Sequence, residues 1–164
     1  MNLNHKQKGF GLIEVLVAML VLSIGLLGVA GLQAQSIRFN HEAYFRTQAT
    51  VLANDIADRM RTNRAQAIGS NSYKFTFNDA PQASATLCET NPCSAGNIAV
   101  YDFTQWRANI ASALPNGKGA VTPDAIGTAK TWREYVIQIR YDSVSSDTGS
   151  SSPTAVTLEY RTRI

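Results

Sequence analysis

The chain has 164 residues, which is enough for one hydrophobic core with an appended segment but not for two domains. Its formal net charge of +3 includes Lys6 and Lys8, so the chain beyond residue 9 is close to neutral. This balance argues against a nucleic-acid-binding protein, because such proteins concentrate basic residues on one surface.

The N-terminal segment combines a polar, basic stretch, Met1 to Gly9, with an apolar run from Phe10 to Leu32. At about 1.5 Å per residue this run would extend roughly 34 Å, enough to cross a bilayer core of about 30 Å. A cleaved secretory signal has a shorter apolar core of roughly 7–15 residues. A plain membrane anchor fits the length, but it leaves Glu14 unexplained.

Glu14 is the single ionisable residue of the apolar run. A carboxylate costs about 2.5–3.5 kcal/mol at the centre of a membrane helix and less near an interface, so it should have a positively charged partner. Cleavage after Gly9 would create one, the α-amine of Phe10. The sequence therefore suggests that Gly9, Phe10 and Glu14 act together.

The stretch from Lys8 through Gly9, Phe10 and Glu14 to Ala18 resembles the class III signal of type IV prepilins. The resemblance implies that a prepilin peptidase cuts between Gly9 and Phe10 and that Phe10 becomes the N-methylated terminus. It also implies that Glu14 pairs with the terminal amine of a neighbouring subunit during assembly. Three later stretches are similar to the PilV group of minor pilins: Asp55 to Arg64, Tyr101 to Trp106, and Leu114 to Gly117.

This resemblance also implies the organisation and partners of the chain. Residues 1–9 would form the leader, 10–32 the membrane and assembly half of a long helix, and 33–164 a periplasmic domain that includes the second half of that helix. The expected partners are other minor and major pilins, the prepilin peptidase with its N-methyltransferase activity, and the inner-membrane assembly platform. The chain would lie in the inner membrane, with its C-terminal domain in the periplasm, before it enters the pilus.

The helical pattern continues after Leu32, with apolar residues spaced by three or four along one face. We predict a single helix from Phe10 to about Arg64, with a stop at Asn63 or Gly69. Its polar end, from Asp55 to Arg64, is interpreted as a solvated face with weak i,i+4 pairs such as Asp55 with Arg59. Glycines recur in the apolar run, at Gly25, Gly28 and Gly31. Close helix packing in the membrane and loosening of the helix on entry into the filament both remain possible reasons for them.

The middle of the chain contains both cysteines, Cys88 and Cys93, within the polar loop Asp79 to Gly96. The C-x4-C spacing differs from a redox C-x-x-C motif, and no second Cys or His pair completes a zinc site. We therefore favour a small disulfide loop, as expected for an exported chain. A strand is predicted at Tyr73 to Phe77. A short helix carrying Phe103, Trp106, Ile110 and Leu114 is predicted to end at Pro115 to Gly117.

Two alternating runs close the chain, one around Tyr135 to Tyr141 and one around Val156 to Thr162. We predict that they pair antiparallel across the polar loop Asp142 to Pro153. A sheet of this kind needs the long helix to cover its apolar face. The predicted fold class is therefore α+β, with the N-terminal helix packed on a small antiparallel sheet.

No motif in the sequence supports catalysis, and we predict neither an enzyme nor a cofactor or metal site. The first functional hypothesis is a minor pilin that takes part in the initiation of pilus assembly. A minor pseudopilin of a type II secretion system is the alternative. A DNA-uptake pilin is a weaker one, because the basic residues of the domain are scattered among acidic ones.

Overall fold

The computed structural model describes residues 11–79, 88–89, 91–124, 131–143 and 153–164. Gly9, Phe10 and most of the predicted loop between Asp142 and Pro153 lie outside these ranges. Contacts divide the chain into two compact units, Met1–Asn40 and His41–Ile164. The predicted α+β class is confirmed, since a long N-terminal helix and a three-stranded antiparallel sheet are both present.

Helix α1 runs from Leu12 to Thr62, 51 residues, without a break at Gly25, Gly28 or Gly31. It ends two residues before the predicted end because Asn63 leaves the helical conformation, with φ −106° and ψ 42°. A six-residue helix, α2, follows at Arg64–Gly69. Both predicted stops, Asn63 and Gly69, therefore mark real helix ends. The predicted apolar face of α1 is confirmed by its buried residues, Ala49, Leu52, Ile56 and Met60.

Helix α3 spans Ala95–Ala113, 19 residues, and is longer than the predicted short helix. It begins earlier because Ser94 caps it: the Ser94 side chain accepts a hydrogen bond from the Asn97 backbone N–H at 3.3 Å. The predicted end is confirmed, since the chain leaves the helix through Asn116 in the left-handed region, with φ 49°. The apolar positions Phe103, Trp106, Ile110 and Leu114 are all buried.

The sheet contains β1 (Lys118–Pro123), β2 (Glu134–Ser143) and β3 (Thr154–Arg163), in that spatial order and all antiparallel. The predicted pairing of the two C-terminal runs is confirmed, with Ile137 opposite Tyr160. The inward residues of β2 are fully buried: Tyr135, Ile137, Ile139 and Tyr141. Strand β1 was not predicted. Its six residues contain Gly119 and Pro123, which have low strand propensity, and they form a strand only by pairing with β2.

The prediction of a strand at Tyr73 to Phe77 is wrong. Within the described chain, this segment makes a single bridge, in which Phe75 and Val121 exchange backbone hydrogen bonds of 2.9 and 2.8 Å. The neighbouring N–H groups are used in turns instead: Lys74 donates to the Asn71 carbonyl and Thr76 donates to the Asp79 carboxylate. These turns bend the chain away from β1 on both sides of Phe75, so the ladder does not grow beyond one bridge.

Gly119 allows Trp106 to pack flat against strand β1. A Cβ atom at this position would lie 2.4 Å from Cη2 of Trp106 and 2.7 Å from Cδ1 of Ile110. Trp106 has little freedom to move, because it is fully buried and its Nε1 donates to the Leu52 carbonyl at 2.8 Å. The glycine is therefore a packing requirement, in addition to any backbone preference.

Gly119→Ala is expected to destabilise the globular unit by about 1–3 kcal/mol, because the new methyl group overpacks the core. Urea unfolding of the detergent-solubilised chain, followed by tryptophan fluorescence, measures the loss. Gly69→Ala is the matched control, because a Cβ atom at Gly69 meets nothing within 4 Å. Equal stability of the two variants would contradict the packing role of Gly119.

Candidate functional site

Glu14 lies in the first turn of α1, where its backbone N–H donates to the Gly11 carbonyl at 3.0 Å. The apolar side chains beside it are exposed, as shown by Leu12 with 88% of its surface accessible. No basic side chain of the described chain pairs with Glu14. A carboxylate on an otherwise apolar helix therefore has to find its counter-charge elsewhere.

The apolar part of α1 is exposed in the part of the chain that the structure describes. Of the described helices, α1 is the one that is long and apolar enough to cross a membrane, and none of its most apolar stretch is buried. A Cβ atom added at Gly25, Gly28 or Gly31 would meet nothing within 4 Å. So large an exposed apolar surface needs lipid or other helices to cover it.

Cys88 and Cys93 form a disulfide, with their Cα atoms 5.5 Å apart. The bond closes the turn just before Ser94, the cap of α3. Glu89, inside the loop, accepts a hydrogen bond from the Tyr101 hydroxyl on the second turn of α3. The disulfide therefore shapes the segment that enters α3, and its two sulfurs are not available as metal ligands.

A buried polar cluster connects α1 with α3. Asp102 on α3 accepts a hydrogen bond of 2.7 Å from the Tyr73 hydroxyl and one of 3.3 Å from Nη1 of Arg59. Arg59 also donates to Asp55 at 3.0 Å, which confirms the predicted i,i+4 pair. The interpretation of this stretch as a solvated face is wrong for Arg59, whose side chain is 28% exposed and bonds to the buried Asp102.

A sequence signal for this cluster did exist. Asp102 precedes Phe103 by one position and is spaced by three from Ala99 and by four from Trp106, so it lies on the buried face of α3. A carboxylate on such a face needs a partner, because an isolated buried charge is costly. The partners themselves, Tyr73 and Arg59, come from distant parts of the chain and cannot be identified by spacing.

The environment of the cluster shifts the pKa values of its members. Burial and the hydrogen bond to Asp102 raise the pKa of the Tyr73 phenol well above its ordinary value. Burial alone would lower the pKa of Arg59, but its hydrogen bonds to Asp55 and Asp102 outweigh burial and raise it. The cluster therefore holds a neutral phenol and a charged guanidinium beside Asp102, and its hydrogen bonds join α3 to α1 and to the segment that carries Tyr73.

Alkaline pH is expected to destabilise the globular unit. Burial also raises the pKa of Tyr135, whose hydroxyl donates to the Ala67 carbonyl at 2.6 Å. A phenol whose pKa is raised by folding contributes its full stability below its unfolded pKa of about 10, and that contribution falls as pH rises further. The free energy of unfolding should therefore be flat to about pH 10 and then fall by about 1.4 kcal/mol per pH unit for each buried phenol.

Urea unfolding of the detergent-solubilised chain at stepped pH values measures this slope. Tyr135→Phe should make the alkaline fall in the free energy of unfolding shallower than in the wild-type chain, by about 1.4 kcal/mol per pH unit. An identical slope in the variant and the wild-type chain would show that Tyr135 does not titrate with unfolding.

Comparison with known protein families gives two adjoining matches. Residues 4–30 match the prokaryotic N-terminal methylation motif. Residues 31–104 match the Tt1218-like family, described as type IV pilin Tt1218. No curated protein and no solved structure matches the chain significantly. The matched residues extend from the segment before the predicted cleavage site, through all of α1 and α2, into α3.

Proposed function

Because this chain is a type IV pilin with a class III N-terminal methylation signal, we propose that it is a minor pilin of the PilV type. In this role it takes part in the initiation of pilus assembly and enters the filament. Its function is structural, without catalysis. A pilin with this signal has other pilins and a prepilin peptidase as its general partners, and we propose the inner-membrane assembly platform as a further one.

One observation carries this proposal: Glu14 begins an exposed apolar helix without a basic partner in the described chain. Cleavage after Gly9 would place a new positive charge on Phe10, and a neighbouring subunit could then offer its own terminal amine to Glu14. The exposed apolar helix fits membrane anchoring followed by incorporation into a pilus. We propose that the C-terminal domain faces the periplasm before assembly.

The surface of the globular unit gives little support to DNA uptake. The exposed arginines of β3 are held by acidic residues, Arg161 by Glu159 at 2.7 Å and Arg163 by Glu134 at 3.1 Å. A DNA-binding surface would need basic side chains that are free to contact phosphates. We therefore favour a role in pilus assembly over a role in DNA capture.

Deletion of the gene, followed by complementation, tests the proposal. The deletion strain is expected to form few pili, and the wild-type chain to restore them and to be found in purified filaments. Loss of protein secretion with normal pili would instead indicate a type II secretion pseudopilin. Normal pili and normal secretion in the deletion strain would refute both assignments.

Glu14→Ala is expected to be cleaved normally yet to reduce pilus number by at least about tenfold, the factor that corresponds to ~1.4 kcal/mol of lost assembly energy. Electron microscopy counts the pili, and mass spectrometry of the membrane fraction reports cleavage. Glu42→Ala is the matched control, because Glu42 lies on the same helix beyond the apolar run. Wild-type piliation with Glu14→Ala would contradict the assembly role.

A further inference from the structure

Three consecutive residues of α1, Ile37, Arg38 and Phe39, are exposed just beyond the apolar run that ends at Leu32. Ile37 has 58% of its surface accessible and Phe39 has 47%. Residues 33–36, three of them polar, separate this set from the apolar run, and α1 stays helical throughout. The two apolar side chains are therefore outside the membrane-spanning run, yet the described chain does not bury them.

The three side chains point in different directions around the helix. Successive residues of an α-helix are about 100° apart, so Ile37, Arg38 and Phe39 together surround much of the helix axis. A surface that docks on one protein partner lies on one side of a helix, with residues spaced by three or four. A set that surrounds the axis fits a medium that surrounds the helix, which is the bilayer. We call this set the interfacial collar.

The position of the collar along α1 matches the headgroup layer of a bilayer. A carboxylate costs least near a membrane boundary, which places Glu14 at one edge of the hydrocarbon core. At ~1.5 Å per residue, a core of about 30 Å ends about 20 residues later, near Ala34. Arg38 then lies about 6 Å beyond the core, within a headgroup layer that is roughly 5–7 Å thick. Arg46 lies about 18 Å beyond the core and outside that layer.

The chemistry of the collar also fits headgroups. Arg38 forms no ion pair with any acidic side chain of the described chain, including Glu42 one turn further along α1. A guanidinium binds phosphate through two parallel hydrogen bonds. Arginine and aromatic side chains are favoured at the boundary between lipid and water, because each combines an apolar body with a polar or polarisable end. Arg38 therefore has a free charge at the depth where phospholipid phosphates lie.

Resting on the proposed function, in which the chain is anchored in a membrane before assembly, we propose that the collar binds the headgroup layer opposite Glu14. The Arg38 guanidinium binds the phosphate of a phospholipid, and Ile37 and Phe39 pack among the headgroups and the upper acyl chains. Glu14 at one boundary and the collar at the other then fix the depth of α1 in the bilayer. Entry into a filament requires the release of this phosphate as well as of the surrounding lipid.

Solid-state NMR of the full chain in vesicles of phosphatidylglycerol and phosphatidylcholine tests the phosphate contact. The experiment measures the dipolar coupling between arginine Cζ atoms and phosphorus, which is detectable only when the two lie within a few ångström of each other. The buffer contains no phosphate, so the phospholipid is the source of the phosphorus. Arg38→Gln removes the guanidinium and keeps a good helix former. Arg46→Gln is the matched control, because Arg46 is another exposed arginine of α1.

The wild-type chain is expected to show the coupling, Arg38→Gln to lose it, and Arg46→Gln to retain it. No coupling in the wild-type chain, or equal coupling in Arg38→Gln, would overturn the inference. A chain that does not sediment with the vesicles would overturn it as well, because the collar acts only on an inserted helix. Normal pili in the deletion strain would refute the proposed function, whereas the vesicle experiment decides the inference independently.

A spin label at residue 40 tests the apolar side chains of the collar. The two native cysteines form a disulfide, so Asn40→Cys provides a single free thiol for the label. Ile37→Ser combined with Phe39→Ser is expected to raise the collision rate of the label with a water-soluble nickel complex at least about twofold, because the helix loses its preference for the headgroup layer. Val51→Ser is the matched control, since Val51 is an apolar residue of α1 that is 57% exposed and lies further from the membrane-spanning run. An unchanged rate in the double variant, or an equal rise in the control, would show that the collar does not fix the depth of the helix.

Discussion

Gly9→Val is expected to leave the chain as an uncut precursor in the membrane, with mature protein reduced about 100-fold. The branched side chain would displace the backbone at the cleavage junction, and a misplacement of about 1 Å at a reacting bond can cost that factor. Without cleavage the α-amine of Phe10 never forms, so Glu14 loses its proposed partner. Mass spectrometry of the membrane fraction distinguishes the two forms, because the precursor retains Met1 to Gly9.

Asn4→Val is the matched control for this prediction, since it introduces the same side chain into the leader away from the junction. It should be processed as the wild-type chain is. Gly9→Val should also differ from Glu14→Ala: both fail to assemble, but only the first keeps its leader. Efficient processing of Gly9→Val would show that the chain is cleaved at another position. The α-amine of Phe10 would then not be the partner of Glu14.

Arg133→Met is expected to destabilise the globular unit by about 3–5 kcal/mol. The Arg133 side chain is 3% exposed, and its guanidinium donates to the Ser70 carbonyl, to the Asn71 side chain at 2.8 Å and to the Asp124 carbonyl at 2.7 Å. It therefore joins the segment after α2 to the end of β1. Methionine fills a similar volume but leaves these buried acceptors without their donor.

Urea unfolding of the detergent-solubilised chain measures this loss, which is a large part of the 5–15 kcal/mol by which domains are typically stable. Arg161→Met is the matched control, because Arg161 is an exposed arginine in a surface pair with Glu159. Such pairs contribute about 1 kcal/mol or less. If both variants lose the same stability, the buried contacts of Arg133 do not hold the unit together.

The charged residues of this domain show that the sequence alone does not reveal which of them are buried. In the sequence, Arg133 is one of several scattered basic residues, and Arg59 belongs to a helix segment rich in charge. Spacing along a helix predicted the pair of Arg59 with Asp55, four residues away, because both lie on one helix face. Spacing could not predict that Arg59 contacts Asp102 or that Arg133 contacts Ser70. These contacts join residues that are more than forty positions apart in the sequence.

Local patterns, by contrast, predicted most of the helices and strands. The three- and four-residue spacing identified the buried face of α1, and strict alternation identified β2 and β3. Both patterns arise because apolar residues recur at the repeat of the helix or the strand on the face that is buried. The same alternation at Tyr73 to Phe77 was misleading, since the chain turns on both sides of Phe75 and leaves β1 after a single bridge. Strand β1 was missed because its six residues form a strand only against β2.

The sequence by itself predicted the features of the N-terminal segment: the Gly9–Phe10 junction, the apolar run and the position of Glu14 are local features that can be recognised without knowing the fold. Only the tertiary structure decided which side chains connect the elements of the globular unit and which strand lies at an unpaired edge of the described sheet. The Tyr73–Asp102–Arg59 cluster, the contacts of Arg133 and the free edge of β3 all depend on which distant segments meet. Those pairings are set by packing of the whole core, so no repeating pattern in the local sequence predicts them.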